Sequence, residues 1–278
     1  MEIHTKDFDA LHFSLFILSD VHEGNAGCNH AAFKKAVDYI KTVSKKRAVS
    51  VTLLGDMIDC IEVSDRRFNP VEISEKYSLR DLKDLPKKQA EFVMHTLNPI
   101  KDKIDFSIIG NHEESYIREH HFDVYNYYSE ELECEKLGFF GIVRYRLKKP
   151  KRGVKDTGVS FDVGYTHGRG GSGGKTIGYP LNWCKDIFSK FDFEFNIAGH
   201  RHILRSTADV RIHINQSLRP IKRKNWYCVA GCFLDTYVKG SSGYFEGRSG
   251  GHSDIGFIEI TVDWVDSTWK KDLKEIRL

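Results

Sequence analysis

Short apolar runs, each halted by glycine, aspartate, asparagine or histidine, set the pattern of this chain. Residues 13–18 (FSLFIL) are mostly apolar and stop at Ser19-Asp20-Val21-His22, which reads as a buried parallel strand. Residues 29–47 carry Ala32, Phe33, Ala36, Val37, Ile40 and Val43 at helical spacing, with lysines on the other face. A second β-branched run, 49–54, ends in Gly55-Asp56-Met57-Ile58-Asp59. Strand, helix and strand, with a carboxylate at each strand exit, predict a βαβ unit of a parallel sheet.

The pattern dissolves over residues 60–85 into polar and charged positions with Pro70, which predicts an inserted, lid-like segment over the sheet edge. Residues 86–98 read as helix, and 103–109 as a third strand ending in Gly110-Asn111-His112-Glu113. Helix and loop follow over 116–138, with His120 and His121 expected at the surface. Runs 141–147 and 159–165 read as antiparallel strands of a second sheet, the latter ending in Thr166-His167-Gly168. A helix is expected over 176–190, then a strand over 193–198 ending in Gly199-His200-Arg201-His202. The C-terminal part reads as β-rich, with strands at 211–215, 226–229 and 256–262. Without an internal repeat, the 278 residues suit one α/β domain with that single insertion.

Composition changes this picture little. Hydrophobic residues at 40% and charged residues at 29% describe a globular chain able to bury a full core. No run of apolar residues is long enough for a membrane span, and the first ten residues lack a signal-peptide core. Six scattered cysteines show no disulfide spacing, so a reducing cytoplasm is the expected compartment. A net charge of +3 does not by itself call for nucleic acid, although basic clusters occur at 45–47, 148–152 and 219–224.

The strand exits carry the chemistry. Asp20/His22, Asp56/Asp59, Asn111/His112, His167 and His200/His202 are metal-capable or acid–base side chains repeated at successive strand ends. Turn chemistry alone does not supply that many in register. His112-Glu113 is not a zinc-protease motif, because the second histidine would fall at Tyr116. RGGSGGKT at 169–176 is not a phosphate-binding P-loop, since the required first glycine is Arg169. It is expected to be a flexible loop over the site, with Arg169 and Lys175 as substrate-phosphate contacts. Cys228 and Cys232 have neither redox nor zinc-hook spacing and are expected in the core.

In this order, D-x-H, G-D-x-x-D, G-N-H-E, T-H-G and G-H-x-H resemble the calcineurin-like metallophosphoesterase superfamily over residues 12 to 205. The resemblance implies a four-layer αββα sandwich, two mixed β-sheets flanked by helices, with two divalent metal ions at the strand ends. It places Asp20, His22 and His202 on one ion, Asn111, His167 and His200 on the other, and Asp56 between them. Imidazole mixed with carboxylate and amide oxygen suits manganese, with iron or zinc as alternatives, more than magnesium or calcium. The implied reaction is attack on phosphorus by a hydroxide that the ions generate at neutral pH. His112 would protonate the leaving oxygen, with Asp59 orienting its ring. Asp59 is followed by Cys60-Ile61 rather than Arg-Gly, which argues against the protein Ser/Thr phosphatase branch; the layout is nearer to the Mre11/SbcD-type nucleases. The expected substrate is therefore a phosphodiester of a nucleic acid, DNA or RNA, or of a nucleotide. A phosphomonoesterase acting on a small metabolite or phosphoprotein is the alternative, and a non-catalytic binding module the third reading.

Overall fold

The computed structural model describes residues 2–65, 67–148, 158–170, 176, 178–214, 218–236 and 253–278. Two mixed sheets of six strands each pack face to face, with helices on their outer faces. This is the expected four-layer αββα sandwich. In chain order the strands are β1 (Ile3–Asp9), β2 (His12–Leu18), β3 (Ala48–Leu53), β4 (Ile104–Ser107), β5 (Glu135–Lys136), β6 (Phe140–Lys148) and β7 (Val159–Thr166). They continue with β8 (Phe195–Ala198), β9 (Leu204–Ile214), β10 (Pro220–Ala230), β11 (Gly256–Val265) and β12 (Thr268–Arg277). The helices are α1 (His30–Val43), α2 (Leu85–Leu97), α3 (Asn111–Glu119), α4 (Val124–Glu131) and α5 (Tyr179–Ile187).

One sheet runs β12-β11-β2-β3-β4-β5, the other β1-β6-β7-β8-β10-β9. Strands β2 to β5 are mutually parallel, as are β7, β8 and β10. β2 shows why its sequence is apolar on consecutive positions. Phe16 and Leu18 face the helical layer with α1 residues Phe33, Val37 and Ile40, while Phe13, Leu15 and Ile17 face the second sheet. A strand buried on both faces cannot alternate with polar residues. β6 does alternate: Val143, Tyr145 and Leu147 point inward, and Arg144 and Arg146 point out to pair with Asp162 and Asp7. Among the described residues, only α5 covers that outer face, packing Cys184 and Phe188 against Tyr227 and Val229. The N-cap of α1 is Asn29, whose side chain accepts from Ala32 N at 2.9 Å.

The expected elements are present, with differences at the edges. β1 and β12 lie at sheet edges and carry alternating polar residues, so no apolar run marks them. β9 and β10 form an antiparallel hairpin much longer than their apolar stretches indicate. The segment between β3 and α2 contains two single 3₁₀ turns, Pro70–Glu72 and Asp81–Asp84. It is tied to the loop after β2 by Ala26 N to Glu72 O (2.7 Å) and Ser74 N to Gly24 O (2.9 Å). All six cysteines are free and buried. No helix among the described residues is long and apolar enough to cross a membrane.

The inter-sheet core sets the stability of the scaffold. Phe161 lies between the sheets, stacked on Tyr145 at 5.3 Å between ring centroids, whereas Ile212 on the β9 hairpin is 72% exposed. Phe161→Ala should therefore lower unfolding free energy by about 3–5 kcal/mol in urea titration. Ile212→Ala should change it by no more than about 0.5 kcal/mol.

Candidate metal centre

Each candidate ligand stands just beyond a strand: Asp20 and His22 after β2, Asp56 and Asp59 after β3, Asn111 and His112 after β4, His167 after β7, and His200 and His202 after β8. These are the carboxyl ends of parallel strands, where open α/β sheets bind ligands. Strand alternation is not what aligns the i, i+2 pairs. The strands have already ended, and Asp20, His22, Asp56, His200 and His202 adopt φ of 52°, 49°, 48°, 68° and 52°. Left-handed backbone costs a non-glycine residue roughly 1–2 kcal/mol, so neighbouring bonds must hold each turn.

Those bonds are present. Asp20 N donates to Gly55 O and His22 N to Asp56 O, both at 3.0 Å, so the loops after β2 and β3 stay paired beyond the sheet. Glu113, fully buried on the first turn of α3, accepts from Gly110 N (3.1 Å), Asp56 N (3.0 Å) and Met57 N (2.8 Å). One carboxylate thus joins the G-D-x-x-D and G-N-H segments. Gly110 has to be glycine at this junction, because a Cβ would lie 2.1 Å from Asp56 N.

The side chains converge as two groups, Asp20/His22/His202 and Asp56/His167/His200, whose donor atoms lie within 4.8 Å of one another in each. Within the first, His202 Nε2 is 3.2 Å from Asp20 Oδ1 and 3.1 Å from His22 Nε2. Within the second, His167 Nε2 is 3.0 Å from Asp56 Oδ2 and 3.1 Å from Asn111 Oδ1. Asp56 Oδ2 is also 3.8 Å from His22 Nε2, so this oxygen faces both groups.

The outer ring nitrogens are already engaged. His22 Nδ1 bonds Asp59 Oδ1 (3.2 Å), His167 Nδ1 bonds Leu54 O (2.7 Å) and His200 Nε2 bonds Gly170 O (3.2 Å). A ring nitrogen that donates to carbonyl or carboxylate leaves the other as a lone pair, the arrangement found behind metal-bound histidines. The Asn111 amide oxygen sits among His167 Nε2, Asp56 Oδ2 and the nearby His200 Nδ1. So many acceptors are mutually repulsive unless the amide turns to donate, His167 carries a proton or a cation lies among them. Buried Asp20 Oδ1 likewise makes no hydrogen bond. Oxygen and nitrogen donors of this kind fit divalent cations.

The sequence model of the calcineurin-like phosphoesterases matches residues 13–204, a span that holds every one of these side chains. The chain belongs to the calcineurin-like phosphoesterases. No curated protein sequence matches it closely enough to add a relative. Among solved structures, it aligns with zinc-complexed Vps29 from Entamoeba histolytica at 11% identity and TM-score 0.37, over 94% of this chain and 98% of that one. A metallophosphoesterase from Sphaerobacter thermophilus aligns at 13% identity and TM-score 0.37, over 96% and 88% of the two chains. The NAD nucleotidase of Haemophilus influenzae aligns at 10% identity and TM-score 0.39, over 97% of this chain and 50% of that one.

In this calcineurin-like phosphoesterase, Asp59 serves two histidines. Its carboxylate bonds His22, and its backbone carbonyl accepts from His112 Nδ1 at 2.6 Å, with Oδ1 3.5 Å from the same nitrogen. His112 also donates its backbone N–H to Asp56 Oδ1 at 2.9 Å. Arg169 is placed in a separate cleft of about 360 Å³ behind Asn111 and His167, paired with Glu114 at 2.5 Å and over the Phe139 ring. Lys175 lies outside the described residues. The open side of the centre is a cavity of about 480 Å³, whose further walls include Arg67, Asn69, Glu72 and Asp235. These wall residues carry no motif of their own, and the structural role of Glu113 was not read from the G-N-H-E motif that contains it. For Glu113 alone a signal existed: a glutamate three residues after a helix-starting glycine, placed to reach back to its backbone.

Charge inside this cluster is settled by neighbours. Burial alone would raise the Asp56 carboxyl, but His167, His112 and His22 hold it far below the carboxylate range. Burial pushes the His167 imidazole down, and the charges of Asp56 and Asp20 overcome this and lift it to about 9. His200 and His202 are lowered, first by burial and then by the charge of the neighbouring His167 and His22. A cation entering the group must therefore displace the His167 proton at any pH below about 9. Apparent affinity for Mn²⁺ or Zn²⁺ should rise with pH through neutrality, by about tenfold per unit for each proton released, and level off in the alkaline range. Calorimetry in buffers of different ionisation enthalpy counts those protons. An affinity that is flat from acid to neutral pH would contradict the assignment.

Proposed function

We propose that the chain is a dinuclear-metal phosphoesterase that hydrolyses a phosphodiester of a nucleotide or nucleic acid. The observation that carries this reading is the placing of Asp56 Oδ2 between His167 Nε2 and His22 Nε2, at 3.0 and 3.8 Å. One buried carboxylate facing two sets of lone pairs suits a pair of ions sharing a ligand. Asp20, His22 and His202 would hold one ion, Asn111, His167 and His200 the other, and Asp56 both. Manganese suits the donors, with iron or zinc as alternatives. When bound, the ions supply Lewis acidity to the phosphoryl oxygens and lower the pKa of a coordinated water.

The chain's own residues do the rest. His112 donates through Nδ1 to the Asp59 carbonyl at 2.6 Å, so the transferable proton of its imidazolium is on Nε2. From there it would pass to the departing alkoxide. The Asp59 carboxylate, with Oδ1 3.5 Å from Nδ1, lies on the same side of the ring as that carbonyl. Arg169 would join as an outer phosphate contact by exchanging Glu114 for substrate.

The cavity favours the nucleotide-sized end of this substrate range. Its volume of about 480 Å³ suits a small ligand, and Glu72 and Asp235 in its walls would repel a long polyanion. The same dimensions support a second reading, phosphomonoester hydrolysis on a small metabolite. The six buried free cysteines are consistent with work in a reducing compartment such as the cytoplasm.

Bis-p-nitrophenyl phosphate, p-nitrophenyl phosphate, nucleotides and single- and double-stranded DNA should be compared with and without Mn²⁺. Metal-dependent cleavage of the diester is expected, with His112→Ala lowering kcat by roughly 10²–10⁴-fold while metal content is retained. Asp56→Asn should lose both metal and turnover. A metal-loaded protein inert toward the whole panel would instead be a binding module, and preference for the monoester would select the second reading.

A further inference from the structure

The ligands account for one wall of the 480 Å³ cavity, and the segment between β3 and α2 supplies another. Within that wall Arg67 is the only lysine or arginine among the described residues that line the cavity. Its guanidinium is held by Asp65 through Nε to Oδ1 (3.1 Å) and Nη2 to Oδ2 (2.7 Å), while Arg67 N donates to Oδ1 at 2.7 Å. Those bonds occupy the Nε–Nη2 edge. Nη1 takes part in none of them, which leaves the Nη1–Nη2 edge for two parallel N–H···O bonds to an anion.

The wall is anchored to the centre. Asn25 bridges Ile73, and fully buried Glu23 accepts from Tyr77 OH (2.8 Å), His30 Nε2 (2.9 Å) and Lys76 Nζ. Glu23 directly follows His22, so the segment bearing Arg67 is tied to the loop that bears the first group of candidate ligands. The Lys76 ammonium already serves as the cation of the Glu23/His30 cluster. That cluster is therefore a tether rather than another metal site.

Arg67 and His112 line the same cavity. Asp65 is stabilised as an anion first by Arg67 and also by His112, and the Arg67 guanidinium by Asp65 and also by Asp59. The other charged wall residues are acids: Glu72, which accepts from Asn69 Nδ2 at 3.1 Å, and Asp235, which accepts from Asn29 Nδ2 at 2.9 Å. One oriented cation among acids does not track a polyanion. It picks out a single charged group at a set place.

Building on the phosphoesterase reading, we propose that Arg67 is the anion subsite for a second, non-reacting phosphate on the leaving-group half of a small substrate. The preferred substrates are then nucleotide-sized esters that keep a phosphate after cleavage. The acidic walls beside Arg67 offer acceptors to sugar hydroxyls between the two phosphates.

The test compares the dinucleotide TpT with pTpT and TpTp, which add a terminal phosphate on either half. Wild type should cleave one of the phosphorylated pair with a kcat/KM roughly ten- to hundredfold higher, the worth of charged hydrogen bonds, and mainly through KM. Arg67→Gln should collapse that ratio, and Arg67→Lys should restore part of it. Equal losses on all three substrates, or a ratio that survives Arg67→Gln, would overturn the subsite. Binding separates this outcome from failure of the hydrolase reading. In His112→Ala protein with Mn²⁺, thymidine 3′,5′-bisphosphate should bind more tightly than thymidine 5′-monophosphate by calorimetry, and adding Arg67→Gln should erase the difference. No difference before that substitution would also overturn the subsite, whether or not any ester is cleaved.

Discussion

Three aspartates and five histidines crowded into one largely buried space repel or attract one another strongly, and the rest of the structure answers to that fact. Asp20, Asp56 and Asp59 are nearly inaccessible to water, and a buried charge without a partner is very costly. Protons on His22 and His167 can serve as that partner, which is why these imidazoles hold their protons so strongly. Divalent ions serve better, because they satisfy the lone pairs of all the ligands at once. A cluster balanced in this way is poised to exchange protons for cations.

Holding it requires a rigid frame, since the ligand loops run against backbone preference. The frame is the close-packed double sheet: Phe13, Leu15 and Ile17 of β2 meet Val143, Val163 and Ile197 of β6, β7 and β8 across the middle layer. That contact brings the ends of β2, β3 and β4 beside those of β7 and β8. Glu113 then fixes the loops after β3 and β4 to each other, and Asp59 orients His22 with one group and His112 with another. A candidate metal ligand and His112 are thus held by the same aspartate.

The remaining cavity wall is built from a different part of the chain. The candidate ligand loops follow the family pattern, whereas the wall containing Arg67, Asn69 and Glu72 comes from the segment between β3 and α2, tied down by Glu23, Lys76 and Tyr77. Backbone bonds and the Glu23 cluster join it to the loop after β2.

Local sequence determined the strands buried on both faces, the amphipathic α1 and the seven candidate ligands, because an apolar run halted by Asp, His or Asn is visible within a few residues. Edge strands β1 and β12 gave no such sign, being half solvated and therefore polar at alternate positions. Tertiary structure alone decided that the candidate ligands form two groups, with Asp56 of one lying 3.8 Å from His22 of the other, and that Asp59 faces His22 as well as His112. It also turned Arg169 toward Glu114 and put Arg67 into the cavity wall. The physical reason is reach: strand propensity and turn chemistry act between near neighbours, whereas these pairings join residues up to 180 positions apart, as His22 and His202 show, through the packing of two sheets.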